Sequence, residues 1–180
     1  MAKIDESFEF KPLRIATLTV SDTREKATDK SGDVLQAMIE DSGHTLAKRE
    51  IVTDDKALIR AKVEGWIADP EIDVVITTGG TGFTGRDVTP DAVKPLFEKE
   101  IEGFSVIFHM LSFQSVATST IQSRACGGTA NGTYVFCLPG SPGACKDAWN
   151  GILVHQLDNR HRPCNLVEIM PRLEEHRRGG

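Results

Sequence analysis

Residues 73–92 read DVVITTGGTGFTGRDVTPDA, and this stretch indicates the class of fold. Five of its first six residues are β-branched, which is typical of a strand covered on both faces of a sheet. Four glycines follow within seven residues. Thr89, Pro90 and Asp91 then have the composition of an N-cap, a first helical residue and an acid in the first turn. A strand, a glycine-rich loop and a helix in this order favour a site for a phosphate-bearing ligand.

The glycine-rich loop also contains a charged pair, Arg86 and Asp87. A carboxylate beside N–H groups that bind an anion is repelled by that anion unless a cation lies between them. Mg²⁺ is the natural candidate, because it binds through one or two carboxylates together with substrate phosphates. Arg86 could contact phosphate directly. The alternative, that Asp87 only accepts a hydrogen bond within the loop, fits this segment equally well.

The rest of the chain alternates segments that are typical of strands and helices. We predict strands over 13–20, 46–52, 73–78 and 134–138, and helices over 32–42, 55–68, 92–101, 104–113 and 142–157. Asn131-Gly132 predicts a hairpin, and therefore one antiparallel ribbon. These elements predict an α/β fold: a doubly wound, three-layer α/β/α domain with a mostly parallel sheet. We expect an N-terminal arm over 1–12, the domain over 13–160 and a C-terminal tail over 161–180.

Polar residues follow the predicted strands, where ligands bind in parallel sheets. They are Ser21-Asp22, Thr53-Asp54, Gly79 to Asp87, and Pro139-Gly140-Ser141. Asp54 and Ser141 each precede a predicted helix, so capping is an alternative role for both. Ser123-Arg124 follows a strand-like run. Its arginine is equally suited to clamp a phosphate and to pair with an acid that the sequence does not identify.

Composition limits the possible partners. The chain has 180 residues, of which 39% are hydrophobic, and a formal net charge of −5. This length predicts one domain, and the acidic balance argues against a nucleic-acid partner. No uninterrupted apolar run approaches the ~20 residues of a membrane span, so we expect a cytoplasmic protein without a membrane partner. The four cysteines lack metal-ligand spacing, and Cys137 and Cys145 are predicted to be core residues.

Residues 80–85 match the dinucleotide fingerprint G-x-G-x-x-G. That fingerprint belongs to the first strand–helix unit, with the helix starting inside the motif. Here the strand is the third, and the N-cap predicted at Thr89 lies beyond the motif. A nicotinamide-dependent oxidoreductase is therefore the weakest hypothesis for this chain.

The combined motifs resemble the MoaB/MogA family of molybdenum-cofactor biosynthesis proteins. The segments that carry the resemblance are Thr77-Thr78-Gly79-Gly80-Thr81-Gly82, Arg86-Asp87-Val88-Thr89-Pro90-Asp91-Ala92, Val20-Ser21-Asp22-Thr23, Ser123-Arg124-Ala125 and Leu138-Pro139-Gly140-Ser141-Pro142. The resemblance as a whole covers about residues 13–158. The LPGSP form of the last segment is most similar to the MoaB branch.

The resemblance implies a homotrimer, or a homohexamer of two trimers, that binds molybdopterin, Mg²⁺ and a nucleotide (ATP or GTP). Active relatives transfer AMP from Mg-ATP to the molybdopterin phosphate and release pyrophosphate. Asp54 and Asp87 correspond to the catalytic, Mg²⁺-binding aspartates. The implied substrate-binding residues are Ser21, Asp22, Gly79, Gly80, Thr81, Gly82, Arg86, Ser123, Arg124, Pro139, Gly140 and Ser141. The alternative is a non-catalytic pterin- or nucleotide-binding accessory protein, working with other proteins of the same pathway.

Overall fold

The computed structural model describes residues 3–178, without the side chains of His176 and Arg178. Its strands are β1 (Lys3–Ile4), β2 (Arg14–Val20), β3 (Thr45–Val52), β4 (Val74–Thr78), β5 (Lys99–Glu100), β6 (Cys126–Ala130), β7 (Thr133–Leu138) and β8 (His161–Arg162). Its α-helices are α1 (Lys30–Asp41), α2 (Lys56–Ile67), α3 (Thr89–Val93), α4 (Glu102–Val116), α5 (Pro142–Ala148), α6 (Val154–Gln156), α7 (Leu166–Ile169) and α8 (Glu175–Arg178). Short 3₁₀ turns follow α3, α4 and α7.

A six-stranded sheet in the order β3-β2-β4-β7-β6-β5 forms the centre of the fold. The first four strands in this order are parallel, and the hairpin of β6 and β7 adds the antiparallel ribbon predicted from Asn131-Gly132. Both turn residues have positive φ, as such a hairpin requires. The predicted three-layer α/β/α architecture is confirmed.

Alternate residues of the central strands enter two separate hydrophobic cores. Val74 and Ile76 of β4 pack into the core formed with α1, α4 and α5, whereas Val75 packs into the core formed with α2 and α3. Burial of each such side chain contributes about 1.5–3 kcal/mol. Burial on both faces explains why this strand is a continuous β-branched run. The two cores also hold the end of β4 in place, which is where the glycine-rich loop begins.

Two helix predictions were wrong in detail. The helix predicted over 92–101 ends in a 3₁₀ turn at Leu96, because Pro95 has no N–H and its ring clashes with the preceding turn.

Thr89 is the first residue of α3 and not its N-cap; its hydroxyl donates to the Gly79 carbonyl instead. The last long helix is interrupted by a π-helical turn at Trp149–Leu153. Ser141 is its N-cap, as one of the two alternatives stated.

The described residues before the domain pack against it and do not extend away from it. β1 pairs antiparallel with β8. The Asn159 side chain bonds the backbone of Glu9 and Lys11, and the Phe10 ring lies 5.1 Å from the His44 ring. The C-terminal segment returns to the core through Val167, which is 8% exposed. The two ends of the chain therefore support each other.

Candidate functional site

A cavity of about 1060 Å³ opens at the carboxyl ends of the parallel strands. Twelve of the fourteen residues predicted from the sequence line it, and these are Ser21, Asp54, Gly79, Gly80, Thr81, Gly82, Arg86, Asp87, Ser123, Pro139, Gly140 and Ser141. The other two, Asp22 and Arg124, lie behind this lining and hold residues that belong to it. The convergence follows from the topology, because parallel strands end at one edge of the sheet.

Asp54 is not the cap of the helix that follows it. The carboxylate of its neighbour, Asp55, accepts the N–H groups of Ala57 and Leu58 and caps α2. The Asp54 side chain is thereby left to line the cavity. Burial and the nearby charges of Asp22 and Asp87 raise the pKa of Asp54 above its ordinary value. This carboxylate is consequently held in surroundings that favour a cation beside it.

Asp87 lies on the same cavity wall in different surroundings. Its carboxylate accepts hydrogen bonds from the Thr84 N–H (2.9 Å) and the Thr84 hydroxyl (2.7 Å). Burial opposes ionisation, but these bonds and one from the Gly82 N–H outweigh it, so the pKa of Asp87 lies below its ordinary value. The proposed loop hydrogen bond of Asp87 therefore exists. It orients the carboxylate and keeps it ionised, and leaves the group on the cavity wall.

The two aspartates have a donor set that fits Mg²⁺. Within the described residues, no ion pair involves Asp54 or Asp87. Nor does any group of three or more His, Cys, Asp or Glu residues in that part of the chain form a metal site. Two carboxylates without further protein ligands match the way Mg²⁺ binds, with phosphates and water completing its octahedron.

Arg124 has a structural role. Its guanidinium donates to the carbonyl oxygens of Gly82 (2.9 Å) and Asp87 (2.5 Å) and pairs with Asp91 at 2.9 Å. Its backbone N–H also donates to Thr81. Of the two readings of the sequence, the structure therefore supports pairing with an acid. Arg124 clamps the glycine-rich loop from behind, since its donors are directed at that loop.

Arg86 and Asp22 form an exposed ion pair at the edge of the cavity. Arg86 donates to both carboxylate oxygens, at 2.6 and 2.9 Å, and its side chain is 64% exposed. The second role of Asp22 is to accept the backbone N–H of Asp54 at 3.0 Å. The pair thus links the glycine-rich loop to the loop that carries Asp54, while Arg86 remains accessible to an anion in the cavity.

Two loops present backbone N–H groups without protein acceptors. In residues 3–178, the N–H groups of Gly80, Thr81, Gly140 and Ser141 donate to no protein atom. All four residues line the cavity, two on each loop. Unpaired N–H groups on adjacent loops are suited to bind the oxygens of phosphate. The cavity therefore combines N–H donors for an anion with carboxylates for a cation.

The sequence analysis missed one wall of the cavity. The end of α4 and the turn after it contribute Ser112, Ser115, Ser119, Thr120 and Gln122, none of which is charged. The apolar stripe of this helix concealed its polar face. Arg24 and Lys146 also line the cavity and were not predicted.

The segment Glu102–Gln122 is long and apolar enough to cross a membrane by length and composition alone. Its inner face packs in the core through Phe104 and Phe108. Its outer face carries large apolar side chains that are about half exposed or more: Val106, Ile107, Met110, Phe113, Val116 and Ile121. We call these six residues, five on α4 and Ile121 on the turn that follows it, the outer face of α4. Large exposed apolar patches are typical of interaction sites on proteins.

Comparison with known proteins places this chain in a family. The sequence model of a domain named "Probable molybdopterin binding domain" matches residues 16–159. Molybdenum cofactor biosynthesis protein B of Escherichia coli K12 is 49% identical over 160 residues, which are 89% of this chain and 94% of that protein. The chain belongs to the MoaB/MogA family. Bacillus subtilis 168 has a protein of the same name that is 43% identical over 146 residues, 81% of this chain and 86% of its own length.

Solved structures agree with this assignment to the MoaB/MogA family. A crystal structure of molybdenum cofactor biosynthesis protein B has a TM-score of 0.82 at 40% identity, and covers 92% of this chain and 98% of its own. The tungsten cofactor synthesizing protein MoaB of Pyrococcus furiosus has a TM-score of 0.71 at 35% identity, with coverages of 79% and 91%. The family resemblance predicted from the sequence motifs is confirmed.

Proposed function

We propose that this protein binds molybdopterin and Mg-ATP and transfers AMP to the terminal phosphate of molybdopterin. One observation supports the proposal: the carboxylates of Asp54 and Asp87 line the same cavity as the free N–H groups of two loops. Carboxylates without ion pairs suit a magnesium ion, and the N–H groups suit the phosphates that share it. A nucleotide triphosphate and a phosphorylated pterin both need these two features.

In the proposed reaction, an oxygen of the molybdopterin phosphate attacks the α-phosphorus of ATP in line. The new oxygen–phosphorus bond forms as the bond to the β-phosphate oxygen breaks, and pyrophosphate leaves with those electrons. Mg²⁺, held by Asp54 and Asp87, would supply charge neutralisation of the phosphates. The chain itself positions the two reactants, and needs no side-chain nucleophile.

The walls of the cavity differ in a way that suits two unlike parts of the ligands. The glycine-rich loop side carries Arg86 and the two aspartates, whereas the α4 side carries only uncharged groups: hydroxyl and amide side chains together with Phe108 and Val116. A pterin ring has a neutral edge of hydrogen-bond donors and acceptors. We assign the neutral wall to the ring and the charged wall to the phosphates and the metal.

The proposal is tested by turnover of the purified protein with molybdopterin, ATP and Mg²⁺, following adenylylated product and pyrophosphate. We expect Mg²⁺-dependent product that Asp54→Ala and Asp87→Ala each reduce by at least about 10²-fold, the scale of losing electrostatic stabilisation of a transition state. Asp41→Asn, at an exposed position at the end of α1, is the matched control. GTP in place of ATP measures the nucleotide preference.

Molybdopterin binding without formation of adenylylated product would overturn the assignment as a transferase. The protein would then be an accessory binding protein of the same pathway. No binding of either ligand would overturn the proposal altogether. A cytoplasmic location is part of the proposal, since both substrates are intracellular metabolites.

The proposal includes a homotrimer, or a homohexamer of two trimers. Its structural support is the outer face of α4, where Met110 is 65% and Phe113 55% exposed. Removing apolar surface from water contributes about 25 cal/mol of favourable free energy for every Å² that is buried. Packing between copies would cover them, and would also stabilise the cavity wall that the same helix provides.

A further inference from the structure

We propose that Arg24 and Ser31 are positioning residues that orient the Gly140–Ser141 peptide toward the phosphate or pterin in the cavity. This inference rests on the proposed function, and neither residue belongs to the motifs that identify the family in this chain. Arg24 lies in the loop between β2 and α1, and Ser31 lies in the first turn of α1.

The two side chains converge on one atom. The Arg24 Nη2 and the Ser31 hydroxyl each donate to the Gly140 carbonyl oxygen, both at 2.8 Å. A second Arg24 nitrogen, Nη1, donates to Ser31 Oγ at 3.1 Å. The carbonyl therefore has both lone pairs occupied, and its two donors are bonded to each other. This arrangement fixes the direction of the carbonyl more firmly than one bond would.

A buried carboxylate supports the two donors. Asp29 is fully buried, accepts the Thr19 hydroxyl at 2.8 Å and pairs with Arg49 at 3.0 Å. It also lies 3.9 Å from Arg24 Nη1, and it caps α1 two residues before Ser31. Arg24 and Ser31 are thus attached to the rigid part of the fold, since Asp29 joins β2, β3 and α1.

The fixed carbonyl determines where the next N–H points. The Gly140–Ser141 peptide is trans, so its N–H is directed opposite to its carbonyl. The Ser141 N–H consequently points away from Arg24 and Ser31, and it has no acceptor in the described part of the chain. Gly140 also packs against the glycine-rich loop: a Cβ on Gly140 would lie 3.2 Å from the Gly79 Cα. Rotation of this peptide would therefore move a free donor and disturb both loops.

Ser31 separates positioning from direct ligand contact. Arg24 lines the cavity and is 30% exposed, so a substitution there alone could remove a ligand contact. Ser31 is fully buried and does not line the cavity. Any effect of Ser31 on ligand binding must pass through Gly140 or Arg24, which is the action that a positioning residue has.

The experiment is a double-mutant cycle with Ser31→Ala, Arg24→Met and the double variant. Arg60→Met, at an exposed arginine on α2, is the matched control. Three quantities are measured for each protein: the Kd for molybdopterin by fluorescence quenching, the Tm, and the ligand-free amide hydrogen exchange of Ala144 and Cys145, whose N–H groups donate to the Ser141 hydroxyl and carbonyl. The exchange measurement needs no ligand. It therefore tests whether Arg24 and Ser31 hold the Gly140 carbonyl in place, which we call the tether, separately from the proposed function.

We expect Ser31→Ala to raise the Kd about fivefold, which is the scale of one hydrogen bond. The Kd of the double variant should differ from the product of the single effects by about threefold or more, because both donors hold one carbonyl. Exchange at Ala144 and Cys145 should accelerate in all three variants and not in Arg60→Met. Unchanged exchange and Kd in the double variant would overturn the tether. Faster exchange in a protein that does not bind molybdopterin would support the tether and overturn the proposed function.

Discussion

The Asp54 carboxylate lies directly against the backbone of Gly80. A Cβ built on Gly80 would lie 3.0 Å from Asp54 Oδ1 and 2.4 Å from Thr89 Oγ1. Gly80 also has φ = +63°, in the region that favours glycine. The loop with free N–H groups and the carboxylate assigned to the metal are therefore held in contact because this residue has no side chain.

Gly80→Ala should lower the free energy of unfolding by about 1–3 kcal/mol, through the positive φ and the clash with Thr89. It should also abolish Mg²⁺-dependent turnover, because the loop must move away from Asp54. Chemical denaturation and the adenylylation assay measure the two effects. Gly85→Ala is the control, since a Cβ there meets nothing within 4 Å. Equal behaviour of the two variants would contradict the close approach.

Asp54→Asn should stabilise the ligand-free protein, and more so as the pH rises. The folded-state pKa of Asp54 is raised above its ordinary value of 3.8, so ionised Asp54 disfavours the folded state. This cost is absent when the group is protonated in both states, and it is fully present above the folded pKa. We expect the Tm advantage of the variant to grow to about 1–2 °C between about pH 4 and pH 7.

Mg²⁺ with ATP should reduce the Tm difference between Asp54→Asn and the wild type, because only the wild-type carboxylate can bind the metal. Differential scanning fluorimetry across this pH range measures the difference, with Asp41→Asn as control. A Tm difference that shrinks with rising pH would show that Asp54 is stabilised by ionisation, opposite to this prediction.

Substitution of Arg124 should lower both stability and ligand affinity, whereas substitution of Arg86 should lower ligand affinity alone. Arg124→Met leaves the partly buried carbonyls of Gly82 and Asp87 without donors, so we expect a loss of about 1–3 kcal/mol in stability together with weaker binding. Arg86→Met removes a solvent-exposed ion pair, which contributes little to stability, so the free energy of unfolding should change little while ATP affinity falls. Urea denaturation and calorimetric titration of ATP separate the two. Similar stability losses in both would contradict the clamp assigned to Arg124.

Phe113→Asp should dissociate the proposed trimer or hexamer. The charge would be placed at the middle of the outer face of α4, where burial between copies would leave it unpaired. Leu58→Asp, at an exposed apolar residue on α2, is the matched control. Sedimentation velocity should show smaller species for Phe113→Asp only. An unchanged assembly would move the interface away from α4.

The β–loop–α pattern around residues 73–92 was readable because its physical causes are local. A strand buried on both faces must be a continuous apolar run, and a turn with positive φ must contain glycine. The hairpin at Asn131-Gly132 is of the same kind. The helix predicted to reach residue 101 failed because the apolar spacing was given more weight than Pro95, whose effect on a helix is also local.

The sequence by itself determined the α/β class, the strand order along the chain and the loops that line the cavity, since these follow from periodicity and turn chemistry. Only the tertiary structure decided which charged residue does what. Asp55 rather than Asp54 caps α2, Arg124 is directed at backbone carbonyls, and Arg24 and Ser31 meet Gly140 from more than a hundred residues away. A charged side chain has several possible partners at similar cost, and folding selects among them by bringing distant segments within hydrogen-bonding distance.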